Sequence, residues 1–119
     1  MARKRTNPDF LNGVPELLIL RLLERRPMYG YELVRQMTLA TNRQMEFGEG
    51  CIYPLLHRLE AEGSLASRRE KCDGRSRIVY RVTGKGKGKL AQAMARWARV
   101  VESVQNVLQG AQNGEVLLT

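Results

Sequence analysis

The 119-residue sequence has one histidine, two cysteines, one tryptophan and an aromatic content of 6%. Its single histidine, His57, stands near no Ser/Asp or Cys/His pairing of a nucleophilic triad, and the carboxylates are not grouped in pairs suited to general acid–base work. Enzymatic chemistry is therefore not expected. Cys51 and Cys72 cannot build a disulfide framework, and with one histidine they match no structural zinc spacing, so neither a metal nor another cofactor is expected. Long hydrophobic runs are also missing. The most apolar stretch, "LLILRLL" at Leu17 to Leu23, is interrupted by Arg21 and is too short to cross a bilayer. The basic "ARKR" near the start leads into no signal-peptide core, which makes a cytoplasmic protein the expectation. The glycine-rich "TGKGKGK" lacks the G-x-x-x-x-G-K-[ST] order of a phosphate-binding loop and does not follow a strand in a βαβ setting.

Acidic residues are scarce as well: 12 Asp+Glu face 20 Lys+Arg, giving +8 and a pI near 10.1. The excess is concentrated. Between Arg68 and Lys89 nine basic residues are opposed only by Glu70 and Asp73, so one stretch carries almost the whole net charge. Such a footprint favours a polyanion, because each Lys or Arg that meets a phosphate releases condensed counterions. A membrane surface is the rival partner, but this stretch lacks a long amphipathic helix with bulky apolar residues. Nucleic acid fits better, and no membrane partner is expected.

Punctuation and periodicity divide the chain into an arm at 1–13, a folded domain at 14–83, a helix at 84–110 and a tail at 111–119. The arm is polar and basic, with Arg3, Lys4 and Arg5. Val14-Pro15 predicts a helix start, with an almost wholly apolar helix running to Arg26 and stopped by Pro27. A second helix in "MYGYELVRQM" turns Leu33, Val34 and Met37 inward, and Gly30 permits a close backbone approach. After a loop, the stretch "EGCIYPLLHRLEAEGSL" predicts a third helix over Cys51–Glu62, with Pro54 in its first turn and Gly63 at its end. Ile52, Leu55, Leu56 and Leu59 form its inward stripe; Tyr53, Pro54, His57, Arg58 and Ala61 form a second, chemically mixed face.

Beyond Gly63 the pattern becomes extended. "LASRREK", a turn at Asp73-Gly74 and "RIVYRVT" predict a basic hairpin, with Ile78, Tyr80 and Val82 on one side and Arg77, Val79 and Arg81 on the other. Thr83 is placed to cap a last helix in which Leu90, Met94, Trp97, Val101, Val104 and Leu108 make a heptad seam, broadened by Ala93, Val100 and Val107. That face is wider than a small domain needs for its own packing, so a homodimer interface is expected. Three helices, a two-stranded wing and a long C-terminal helix make a mainly α winged helix-turn-helix with a dimerisation arm.

In that order the residues resemble the PadR family of transcriptional regulators, in its compact branch. The resemblance runs from about Leu17 to Leu108 and is carried by "YGYEL", "IYPLLHRLEAEGSL", the wing followed by "YRVT", and Thr83-x-x-Gly86. It implies that the helix bearing Tyr53, His57 and Arg58 enters a major groove of double-stranded DNA, with Tyr53 near a phosphate. Lys71, Arg75 and Arg77 of the wing would meet the backbone or minor groove. Cys51 stands at the helix start where relatives usually carry Ser or Thr, so a hydroxyl that would bond phosphate is replaced there. Two aromatic rings from paired subunits hold planar ligands in multidrug-responsive members, which marks Trp97, with Met94 one turn earlier, as an expected site for a planar aromatic effector. The implied activity is repression from a palindromic operator. A nonspecific nucleic-acid-binding protein and a helical interaction adaptor are the competing readings.

Overall fold

A computed structural model describes residues 9–110; residues 1–8 of the arm expected at 1–13 and the tail at 111–119 lie outside the described residues, and residues 9–13 of that arm belong to the first helix. Its elements are α1 (Asp9–Arg25), β1 (Met28–Tyr29), α2 (Gly30–Ala40), α3 (Glu49–Ala61), β2 (Leu65–Cys72), β3 (Arg75–Val82) and α4 (Gly84–Leu108). The core joins Ile19, Leu20 and Leu23 of α1 to Leu33 and Met37 of α2, to Ile52, Leu56 and Leu59 of α3, and to Leu65, Tyr80 and Leu90. These are the stripes expected from helical spacing, with Val34 and Leu55 packed at the margin.

Both helix starts that rested on a proline need correction. The first helix begins at Asp9, and Pro15 lies inside it; α3 begins at Glu49 with Gly48 as N-cap, which puts Pro54 in the second turn. Proline lacks only its own N–H, so each leaves one carbonyl, four residues back, without its helical donor. For Pro54 that carbonyl belongs to Gly50, an exposed residue that water can satisfy. The end of α3 is as expected. Gly63 takes φ +90°, its N–H reaches the Glu60 carbonyl at 3.0 Å, and the Ser64 N–H reaches the Leu59 carbonyl at 2.8 Å, a Schellman closure.

The hairpin turns on Asp73 and Gly74, both left-handed at φ 54° and 78°, the two-residue turn whose twist suits antiparallel strands. Cys72 pairs with Arg75 and Leu65 with Val82, without a bulge. A third strand escaped the sequence reading. Met28 and Tyr29 pair with Tyr80 and Val79, giving the sheet order β1-β3-β2; a two-residue strand has no period to detect. β3 is thus central, and at its base Val79 and Tyr80 are both buried although they point to opposite faces.

Thr83 caps α4 as its position implied, accepting from the Gly86 N–H at 3.1 Å. The helix then runs for 25 residues, about 37 Å at the α-helical rise. Only its first turns join the core, through Leu90.

Candidate nucleic-acid interface

The outer side of α3 is open over Cys51, Pro54, His57, Arg58 and Ala61, while Tyr53 is half-buried. Tyr53 is wedged against α2: a Cβ on Gly30 would fall 2.5 Å from its ring, so the close approach expected at Gly30 is made to this side chain. Burial, helped by the Glu49 carboxylate, holds the Tyr53 phenol above its ordinary pKa. The hydroxyl stays protonated at neutral pH and remains a donor.

Arg58 turns elsewhere. Its guanidinium donates to Glu16 of α1 at 2.8 Å and lies 3.6 Å from Glu62, so the arginine expected on the reading face is tied to the body of the protein. His57 and Pro54 are left as the exposed centre of that face.

Strand register divides the wing's basic residues in two, since directly paired residues share a face. On one face Glu70 collects Arg68 at 2.7 Å and Arg81 at 2.9 Å, and these arginines, Arg68 foremost, hold its carboxyl below the usual range. Arg77, on the same face, stacks over the Tyr29 ring with its guanidinium carbon 4.2 Å from the centroid. Its Nε is buried and has no hydrogen-bond partner among the described residues. The other face begins at the core with Leu65 and continues through Ser67, whose hydroxyl donates to Glu60 of α3 at 2.6 Å. Arg69 and Lys71 follow at the next two positions outward, and both are exposed.

The fold therefore brings Lys71 to the α3 side of the wing, places Arg75 exposed at its tip, and engages Arg77 with Tyr29. Sequence reasoning missed Arg69. The signal was present in the alternation Ser67, Arg69, Lys71 opposite Tyr80, Ile78 and Ser76, but charge density alone could not separate it from Arg68. Lys85 and Lys89, counted in the basic stretch, also point away from the wing: Lys85 donates to the Glu62 carbonyl and Lys89 bonds the Glu62 carboxylate.

On α4 the heptad seam splits. Leu90, expected in the dimer interface, is 2% exposed inside its own protomer's core, because it stands in the turns of α4 that cross the domain. Beyond it Met94, Trp97, Val104 and Leu108 of the seam are exposed and Val101 is half-buried, while Val107 of the neighbouring repeat is open. Between α1 and α4 runs an apolar groove of about 310 Å³, lined by Val14, Leu17, Ala93, Trp97 and Val100 with Glu16 and Arg96 at its polar margin. Cys51 and Cys72 are both free thiols. Among the described residues no group of His, Cys, Asp and Glu could hold a metal ion, and no helix is long and apolar enough to cross a membrane.

This architecture has close counterparts. The profile of the transcriptional regulator PadR-like family matches residues 19–92. A transcriptional regulator of Mycobacterium tuberculosis is 41% identical over 105 residues, covering 88% of this chain and 92% of that protein. Among solved structures, a PadR-like transcriptional regulator of Bacillus cereus superimposes with a TM-score of 0.74 at 32% identity, covering 86% of this chain and 98% of the other. A transcriptional regulator from Clostridium thermocellum does so with a TM-score of 0.76 at 25% identity, covering 84% and 95%. With the winged helix, the capped arm helix and the matched segment in agreement, the chain belongs to the PadR-like family of transcriptional regulators.

Proposed function

We propose that the protein is a homodimeric repressor that reads a palindromic operator with α3 and grips phosphates with the wing. The observation that carries this reading is the Ser67–Glu60 contact at 2.6 Å, which sets the β2 face bearing Arg69 and Lys71 on the α3 side of the wing, beside the exposed His57. Phosphate contacts set affinity and salt dependence; base contacts set sequence choice. His57, exposed at the centre of the α3 face, is the base reader in this scheme. Tyr53 donates its phenol to a phosphate, and Cys51 lies at the groove edge. Arg69, Lys71 and Arg75 supply the phosphate grip. Protection mapping on the DNA flanking its own gene tests the reading directly, and retention of every duplex equally would favour nonspecific binding.

Substitutions separate the roles. Joint replacement of Arg69, Lys71 and Arg75 by Ala should weaken binding to all sequences and lower the salt slope by roughly one unit per lost contact. His57→Ala should instead relax sequence preference, at a cost on the order of 1–3 kcal/mol for the preferred site. Arg77→Ala, which removes a stack on Tyr29, should leave the salt slope unchanged while lowering the melting temperature. Equal behaviour of Arg77 and Arg69 in salt titrations would refute the division of the wing.

The effector in this scheme is a planar aromatic, often cationic molecule held at Trp97 and Met94 beside the α1/α4 groove. Aromatic faces attract such ligands with little demand on shape. A flat cationic dye should quench Trp97 emission saturably and release operator DNA, because it favours a dimer geometry that DNA does not. Quenching with no change in a gel shift would leave Trp97 a packing residue.

A further inference from the structure

Four charged side chains converge where the end of the reading helix, the first turns of the arm helix and the start of the core come together. Glu16 of α1 receives Arg58 at 2.8 Å and Lys89 at 3.5 Å. Glu62, the C-cap of α3, receives Lys89 and lies 3.6 Å from Arg58. Each of the helices α1, α3 and α4 is thereby joined to both of the others by a charge contact. Lys89, then the Ser64 hydroxyl, hold the Glu62 carboxyl below its usual range against the opposing effect of burial.

The backbone reinforces the same point. Thr83 donates its N–H to the Ser64 carbonyl at 3.1 Å and its hydroxyl to the Gly63 carbonyl at 2.6 Å, while Lys85 reaches the Glu62 carbonyl. The turn that ends α3 is thus fastened to the turn that starts α4. An isolated, exposed ion pair contributes little to stability; here the four charges share partners across three helices, and Lys89, Glu16 and Glu62 are only 29%, 17% and 29% exposed, so they act as one network. Its geometry is suited to fixing the direction of one helix relative to another.

We propose that Glu16, Arg58, Glu62 and Lys89 form a positioning joint that sets the angle of α3 to α4, so that dimer geometry at α4 is passed to the reading face. The inference rests on the operator reading given above. Arg58 in this assignment acts through Glu16 and Glu62 and not as a base contact. Loss of the joint leaves both helices folded but lets α3 take a range of angles, which penalises a sequence-specific fit more than a loose phosphate contact.

Lys89→Met keeps the aliphatic stem and removes the charge; Lys89→Arg keeps both. Cys51 is an exposed labelling site on α3, and in a Cys72→Ser, Ser103→Cys background a second label sits on α4. Labelled chains diluted into excess unlabelled chains report the α3–α4 distance within one protomer. A duplex selected by the wild-type protein from a random-sequence pool, and its scrambled version, measure discrimination with unlabelled protein. Lys89→Met should broaden the distance distribution and reduce discrimination by about three- to tenfold, with affinity for the scrambled duplex unchanged and the melting temperature only slightly lowered. Lys89→Arg should match wild type in all four. An unbroadened distribution in Lys89→Met overturns the joint, as does an equal loss on both duplexes that tracks a lower melting temperature. A wild-type protein unable to discriminate overturns the operator reading instead, and the distance measurement still decides the joint.

Discussion

Gly86→Ala is expected to destabilise the protein by about 2–3 kcal/mol, lowering the melting temperature on the order of 10 °C. Alanine in a helix is ordinarily favourable over glycine by ~1 kcal/mol, so the sign depends on the space around the new methyl group. That Cβ would lie 2.1 Å from the Ser64 carbonyl oxygen and 2.6 Å from Val82 Cγ2. The first neighbour is backbone and cannot rotate away. It also accepts the Thr83 N–H at 3.1 Å, so displacing it opens the junction between the end of α3 and the start of α4. Gly84 and Gly88 flank this position with nothing within 4 Å of their added Cβ atoms. Gly84→Ala and Gly88→Ala should therefore raise stability by up to about 1 kcal/mol each. Thermal denaturation of the three variants checks the pattern, and a Gly86→Ala protein as stable as its neighbours would contradict the packing of this junction.

The same run shows how the sequence can be read and where reading stops. In "TGKGKGK" three glycines alternate with lysines, and nothing in the spacing distinguishes the one held against a carbonyl from the two in open space. Thr83 was legible because capping is a local event: a hydroxyl and an amide three residues on. The core stripes and the Asp73-Gly74 turn were legible for the same reason, each depending on a period or a dihedral preference carried by neighbouring residues. The strand at Met28 and Tyr29 was not, since it exists only because Tyr80 and Val79 lie across from it.

Charge was the least legible part of the candidate site. The stretch from Arg68 to Lys89 reads as one basic footprint, yet Glu70 engages Arg68 and Arg81, Tyr29 engages Arg77, and Glu62 engages Lys89. All but the Arg68–Glu70 pair, two residues apart on β2, join residues on different elements, and each removes a cation from the face available to phosphate. A count of charges bounds the partner class; the partition of charges between structure and binding requires the register. Arg58 illustrates the point most clearly. Its place on the outer side of α3 was correct, and its side chain nevertheless returns to Glu16, 42 residues earlier.

If α4 joins two copies as proposed, replacing Val104 and Leu108 together by Asp should give a folded monomer. In a single protomer these side chains are 48% and 75% exposed, so the protomer's own fold gains little from them and its helical content and melting should change only slightly. Leu90 marks the contrast: it belongs to the same seven-residue pattern but is buried within its own core, and its substitution would unfold the domain without testing the interface. Beyond it the seam of Met94, Trp97, Val101, Val104 and Leu108 continues in the register of helix-on-helix packing, along a face too apolar to be ordinary solvated surface. Two aspartates per chain would bring like charges into a desolvated contact, a cost of several kcal/mol that a standard interface cannot absorb. On a palindromic duplex each reading head would then bind alone, without the effective concentration that its partner supplies, and affinity should fall by about 10²-fold or more. Half-site affinity should stay near wild type, because α3 and the wing are untouched. Sedimentation with and without DNA reads both effects. A folded dimer that persists through both substitutions would place the contact on another face of the molecule and remove the role assigned here to the outer half of α4.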